Sequence, residues 1–292
     1  MTVTDNLAQQ KPKLTLSALS EKKAQGEPIV MVTAYDYPGA CICEEASVDI
    51  VLVGDSGAMC VLGYESTVSV SVEEMLVLAR AVRRGIRTPL LVADLPFGSY
   101  EVSDEQAIET AQRFVKEAGC DAVKLERGGV CAKRAQAITE AGIPVMGHIG
   151  LTPQTSTVVA GYRSQGRTAK RAAQIIEEGI ALQQAGCFSI VLEAVSTPVT
   201  EALMPRATVP IIGIGAGPSC DGQVLVFHDL LGIYSGHAPR FVRRYAELRE
   251  YMVEAMQAYA FDVRQRNYPT AEHTYSMAPD ETQRLGELLA GE

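Results

Sequence analysis

The chain has 292 residues, 47% of them hydrophobic and 21% charged, and its net charge is −9. A length of this order admits one large domain or two ordinary ones, with enough apolar material for a filled core. The acidity excludes a nucleic-acid partner held by phosphate neutralisation, but not an anionic substrate, because a bound cation reverses the local field.

Residues 1–11 contain Asp5 and no apolar core, so they read as a flexible N-terminal segment and not as a signal peptide. After them one event repeats. A short Val/Ile/Leu-rich run ends in Gly, Asp or Glu, and an amphipathic helical stretch follows. The runs cover residues 29–34, 50–53, 90–93, 122–125, 144–147, 189–192, 210–214 and 224–227, eight in all. They are continuously apolar, which predicts strands covered on both faces, as in a parallel sheet.

Between the second and third runs, Ser71-Val72-Glu73-Glu74 carries the capping-box pattern and opens a helix with Met75, Leu78, Ala79 and Val82 on one face. Ser103-Asp104-Glu105-Gln106 does the same for Ala107, Ala111, Phe114 and Val115. Gly85, Gly119, Gly142 and Gly186 close helices just before the next run. Pro198 suits a first helical position, and residues 238–264 read as a long final helix. Residues 278–292 are a C-terminal tail for which disorder is one reading, leaving 12–277 as one catalytic domain.

The seven cysteines, Cys41, Cys43, Cys60, Cys120, Cys131, Cys187 and Cys220, are odd in number and form no C-x-x-C pair, so neither a disulfide framework nor a zinc site is indicated. Arg80, Arg83, Arg84 and Arg87, and again Arg240, Arg243 and Arg244, fall among acids at helical spacing and read as solvated faces or subunit contacts. No apolar run reaches membrane-spanning length. The expected setting is a reducing cytoplasm, without membrane or nucleic-acid partners.

Eight strand-helix events allow a closed barrel or an open doubly wound sheet. An open sheet would normally show a Gly-rich phosphate fingerprint after its first strand, where this chain has Thr33-Ala34-Tyr35-Asp36. The expected fold is therefore a single-domain (β/α)₈ TIM barrel, whose function gathers at the C-terminal ends of its strands. There the sequence places Asp55 and Ser56, Asp94, Lys124 and Glu126, His148, Glu193, and His228 with Asp229. Carboxylates crowded at one mouth repel unless a cation lies among them, so Asp55, Asp94 and Glu126 read as oxygen ligands for Mg²⁺. The alternative is that each acid caps the helix after it.

Lys124 and Glu126 share a strand face, where the lysine can meet a substrate carboxylate beside a metal ligand. Glu193 follows Ile190-Val191-Leu192, and apolar surroundings of that kind raise a carboxylate toward the range of a general base. His148, flanked by Gly147 and Gly150, reads as a substrate contact or a core histidine. Adjacent His228 and Asp229 point apart and read as structural. The glycines within 213–217 read as an anion cradle or a tight turn.

Several segments resemble the ketopantoate hydroxymethyltransferase family. They are Thr33-Ala34-Tyr35-Asp36-Tyr37, Val53-Gly54-Asp55-Ser56, Ala93-Asp94-Leu95-Pro96-Phe97-Gly98-Ser99-Tyr100, Val123-Lys124-Leu125-Glu126, Gly147-His148-Ile149-Gly150-Leu151-Thr152-Pro153-Gln154, Gly161-Tyr162-Arg163, residues 211–217 and residues 221–229. The resemblance implies a barrel of the phosphoenolpyruvate/pyruvate superfamily, Mg²⁺, 5,10-methylenetetrahydrofolate as one-carbon donor and a homo-oligomer, typically a decamer. It also implies the step that commits carbon to pantothenate and coenzyme A. It puts Asp55, Asp94 and Glu126 at the metal, Asp55, Ser56, Asp94, Lys124 and His148 at the substrate, and Glu193 at the proton acceptor. Two positions depart from the family pattern. Gly57-Ala58 stands where Leu-Gly is usual, and Ala194 follows Glu193 in place of Cys.

The implied chemistry is removal of the C3 proton of 3-methyl-2-oxobutanoate by Glu193, with Mg²⁺ holding the enolate. A lyase or hydrolase of the isocitrate lyase/phosphoenolpyruvate mutase type would share barrel and metal, but the lyases normally carry a Lys-Lys-Cys-Gly-His-like loop that this chain lacks. The intact set of acids and Lys124 speaks against a non-catalytic scaffold.

Overall fold

The structure is a computed structural model that describes residues 12–155, 164–234, 236 and 239–291. The chain divides into two compact units, Met1–Tyr245 and Ala246–Glu292.

In the first unit all eight strands pair in parallel and in chain order, β8 closing against β1. They are β1 (Ile29–Thr33), β2 (Ile50–Val53), β3 (Leu90–Asp94), β4 (Ala122–Glu126), β5 (Val145–Gly150), β6 (Ser189–Glu193), β7 (Ile211–Ile214) and β8 (Gly222–Leu225). Each of the eight predicted runs overlaps a strand. The eighth begins two residues early, at Gly222, because its end is taken into a short helix that starts at Phe227.

The helices of this unit are α1 (Leu16–Gln25), α2 (Tyr37–Glu45), α3 (Gly57–Cys60), α4 (Val72–Gly85), α5 (Asp104–Ala118), α6 (Ala132–Glu140), α7 (Ala169–Gln184), α8 (Thr197–Leu203) and α9 (Phe227–Leu230). Two apolar layers result. Side chains such as Met31, Ile50, Leu52, Val92, Met146, Val191 and Ile212 fill the barrel interior, joined by Leu19 of α1. Val51, Leu91, Val123 and Ile190 face outward into the shell of α4, α5 and their neighbours, through Met75, Val82, Phe114 and Ile138. Period-two strands meeting period-3.6 helices produce this division.

The capping signals hold to different degrees. At Ser71 both reciprocal bonds form, Ser71 Oγ accepting from Glu74 N–H and Glu74 accepting from Ser71 N–H. At Ser103 only the first forms, because the Gln106 carbonyl accepts from Val102 N–H instead. Gly119, Gly142 and Gly186 adopt positive φ at helix ends, as expected. Gly85 does not; a Cβ there would lie 2.6 Å from Ala40 Cβ and 2.8 Å from the Tyr37 carbonyl, so this glycine lets α4 approach α2. Arg80 and Arg83 pair with Glu117 and Asp121.

The second unit contains α10 (Leu248–Gln265) and α11 (Pro279–Ala290). The long helix expected from residue 238 starts only at Leu248, Pro239 and the residues up to Glu247 lying outside any helix. The break in the chain's contacts falls after Tyr245. Residues 246–265 carry the same helical periodicity as the barrel helices, and periodicity alone cannot tell which body a helix belongs to.

Candidate active site

Inward positions recur every second residue, so the residue two places beyond the last apolar one still faces the barrel axis. Val92 is followed in this series by Asp94, Ala122 by Lys124 and Glu126, Met146 by His148, and Val191 by Glu193. The parallel register then sets Asp94 opposite Lys124 and Glu126 opposite His148. Asp55 and Ser56 follow β2 in the turn into α3. All the sequence-predicted site residues therefore meet at one mouth of the barrel.

Lys124 Nζ lies 2.8 Å from Asp94 Oδ1 and 3.9 Å from Glu126 Oε1. His148 Nδ1 is 3.2 Å from Glu126 Oε1, and its Nε2 is 3.1 Å from Glu193 Oε2. Asp55 N–H donates to Asp94 Oδ2 at 3.0 Å. Asp55, Asp94, Lys124, Glu126 and His148 are buried, while Glu193 is partly exposed.

Burial raises Asp55 well above the usual carboxylate range, and the neighbouring Glu126 and Asp94 add to the rise. Burial also raises Asp94, against the pull of Lys124. Burial would lower Lys124, but Asp94, Glu126 and Asp55 outweigh it and hold the ammonium above its ordinary value. For Glu126 burial is overcome by His148 and Lys124, and its pKa falls. Burial and Lys124 push His148 down, yet Glu126 and Glu193 raise it to about 9. Nδ1 faces Glu126 and Nε2 faces Glu193, and both carboxylates favour the charged ring. Lys124 Nζ also approaches Nδ1, at 3.2 Å.

Among the described residues, the four carboxylates of Asp55, Asp94, Glu126 and Glu193 meet two cationic groups here, Lys124 and His148. Asp55 and Asp94 are hard oxygen donors, and Asp94 Oδ1 lacks a well-aligned hydrogen bond despite its burial. That donor chemistry fits Mg²⁺, which takes few carboxylates and completes its shell with water and substrate oxygens. Glu126 is less available, with Oε1 toward His148 and Oε2 accepting from Gln154 N–H at 3.0 Å. Among the described residues no group of three His, Cys, Asp or Glu is gathered to hold an ion. Asp55, Asp94 and Glu126 all line the one cavity at the mouth.

A cavity of about 180 Å³ occupies the mouth, lined by these residues with Ser56, Thr67, Leu52, Val191 and Val224. A second, of about 970 Å³, shares Ser56, Met59, Glu193, Val226, Asp229 and Phe241 with it.

Several residues here escaped the sequence reading. Gln154 Nε2 donates to Asp55 Oδ2 and to the Leu95 carbonyl, both at 3.0 Å, and its Oε1 accepts from Tyr100 at 2.6 Å. Tyr35 bonds Ser56 Oγ at 2.8 Å. Thr67 Oγ1 is buried beside the inner cavity without a partner. The only signal for Gln154 was its place in the segment after His148. Arg127 and Ala194, each directly after a site carboxylate, have positive φ without being glycine, a strain typical of functional turns.

The two family departures differ in consequence. A Cβ at Gly57 would lie 2.7 Å from the Tyr35 ring, so the leucine usual there would have to displace Tyr35. Ala194 removes no group from the site. Gly215 gives room to the Phe241 ring, 2.5 Å from where its Cβ would stand, which makes the 213–217 turn a packing feature. His228 is wedged between Tyr35 and Phe227. Gly161-Tyr162-Arg163 lie outside the described residues.

A profile of the ketopantoate hydroxymethyltransferase family matches residues 13–271. The chain belongs to this family. The 3-methyl-2-oxobutanoate hydroxymethyltransferase of Carboxydothermus hydrogenoformans is 47% identical over 94% of this chain and 99% of its own. The mitochondrial enzyme 1 of that name from Arabidopsis thaliana is 49% identical over 90% of this chain and 77% of its own. Among solved structures, phosphonopyruvate hydrolase superposes with a TM-score of 0.59 at 14% identity, covering 96% of this chain and 97% of that one. 2,3-Dimethylmalate lyase does so at 0.55 and 13%, covering 94% and 98%. At such identity these two share the barrel alone with this ketopantoate hydroxymethyltransferase family member.

Proposed function

We propose that the protein transfers a hydroxymethyl group from 5,10-methylenetetrahydrofolate to 3-methyl-2-oxobutanoate, giving ketopantoate. The observation that carries this reading is the run of contacts Lys124–Asp94 and Glu126–His148–Glu193 around one small cavity. That arrangement supports a reading in which Glu193 is the base, Lys124 the cation for a 2-oxo acid, and Asp55, Asp94 and Glu126 the metal ligands. Asp55, Asp94 and Glu126 would hold Mg²⁺, which would supply Lewis-acid polarisation of the substrate's 2-oxo group.

The rest falls to the protein's side chains. Lys124 offsets the negative charge of the substrate, and Ser56 and His148 fix its orientation. The isopropyl carbons meet the apolar wall of Leu52, Val191 and Val224. Glu193 accepts the C3 proton, and His148 Nε2–H steadies the carboxylate that takes it. The electron pair left at C3 forms the bond to the one-carbon unit, with uptake of one water and release of tetrahydrofolate. A homo-oligomer, decameric as the family likeness implies, and a cytoplasmic setting belong to the same reading. No helix among the described residues is long and apolar enough to cross a membrane.

The test is ketopantoate formation from the two substrates with and without EDTA. Activity should require both substrates, vanish on chelation and return with Mg²⁺. Full turnover in EDTA would sink the metal's role, and no product under any condition would sink the reaction.

A further inference from the structure

Glu193 and Asp229 are two carboxylates that line both cavities. Glu193 has His148 as its partner. Among the described residues the Asp229 carboxyl has no side-chain hydrogen bond; burial raises its pKa, with Arg244 pulling the other way. Met59, Val226, Pro239 and Phe241 line the same two cavities, so its surroundings are largely apolar. A half-buried carboxylate in such a setting is costly until donors reach it. Its place is fixed by the backbone, because Phe227 N–H donates to Thr33 Oγ1 at 2.9 Å and ties α9 to the end of β1.

The inner cavity, about 180 Å³, suits a small oxo acid, and the outer one, about 970 Å³, is far larger than that substrate needs. A one-carbon donor must bring its reactive carbon to the boundary between them, where Glu193 lies. The pterin of such a donor has a 2-amino-4-oxopyrimidine edge with N3–H and 2-NH₂ side by side, a spacing that matches the two oxygens of a carboxylate. Its flat faces are apolar enough to stack on an aromatic ring such as Phe241.

We propose that Asp229 anchors the pterin of the one-carbon donor in the outer cavity, accepting N3–H and the 2-amino group as a bidentate pair. This assignment rests on the reading of function given above. It makes Asp229 a binding residue for the second substrate, separate from the groups that hold the oxo acid.

Calorimetric binding of tetrahydrofolate, and of its analogue lacking the 2-amino group, to the full-length protein and to Asp229→Asn and Asp229→Ser tests it. Both variants should bind tetrahydrofolate about ten- to a hundredfold more weakly than wild type, the loss expected for a charge-assisted pair. The analogue should be weakened to a similar degree on wild type and lose little more on the variants. Wild-type affinity in Asp229→Asn overturns the assignment, and so does an analogue that binds wild type as tightly as tetrahydrofolate. Either result leaves the reaction itself standing. Wild-type protein that binds no tetrahydrofolate overturns both.

Discussion

His148 owes its proton to the two carboxylates at its ends. Glu126 and Glu193 raise its pKa to about 9 against burial and Lys124, which favours the charged ring beside Glu193. Glu193 is the partly exposed member of the cluster, reachable by substrate, while Glu126 is sealed behind the ring. On the proposed reading, in which Glu193 is the base, proton abstraction is separable from binding. Glu193→Gln keeps the side chain's shape, so affinity for the oxo acid should stay within a few-fold of wild type. Exchange of the substrate's C3 proton with solvent deuterium should fall by about 10²–10⁴ even without folate, as for loss of a general base. Lys124→Ala should weaken oxo-acid binding as well as slow exchange. Exchange at the wild-type rate in Glu193→Gln would remove Glu193 from the role of base.

At the scale of elements, α4 shows two kinds of local instruction. Ser71 stabilises its start by a closed capping box, and Ser71→Ala should cost about 1 kcal/mol. Gly85 sits at its other end against Ala40 and the Tyr37 carbonyl. Alanine is the better helix former by about 1 kcal/mol, but its methyl would overlap backbone as well as a side chain. Gly85→Ala should therefore be net destabilising, by about 1–3 kcal/mol, or a fall in Tm of roughly 2–4 °C per kcal/mol. Scanning calorimetry reads both variants. A higher Tm for Gly85→Ala would show that α2 and α4 do not pack this closely.

Over the whole molecule, the two apolar layers shelter most of the thiols. Burial pushes Cys43 and Cys131 up to about 11, and Cys120 and Cys187 up to about 12. A raised thiol pKa leaves little thiolate at neutral pH, and thiolate is the reactive form. Cys41, Cys60 and Cys220 are partly exposed. Native protein should thus give at most three thiols to an aromatic disulfide reagent at pH 8, and all seven after denaturation. Fast reaction of more than three in the native state would contradict this layered packing.

The sequence by itself determined the barrel and the cast of its mouth. Continuous apolar runs bounded by Gly, Asp or Glu and alternating with helical stretches pointed to parallel strands, and a period of two carries Asp94, Lys124, Glu126, His148 and Glu193 onto one strand face. What it could not fix were contacts made by barrel closure between residues far apart in the chain. Gln154 reaches Asp55 across 99 positions, and Glu126 Oε1 lies 3.2 Å from His148 Nδ1. The start of α10 at Leu248 and the shift of β8 were equally hidden, since local pattern does not say which residues a tertiary neighbour will claim. Whether a carboxylate serves as ligand, base or anchor depends on distances of a few ångströms and on burial, and both exist only once the eight strands have closed.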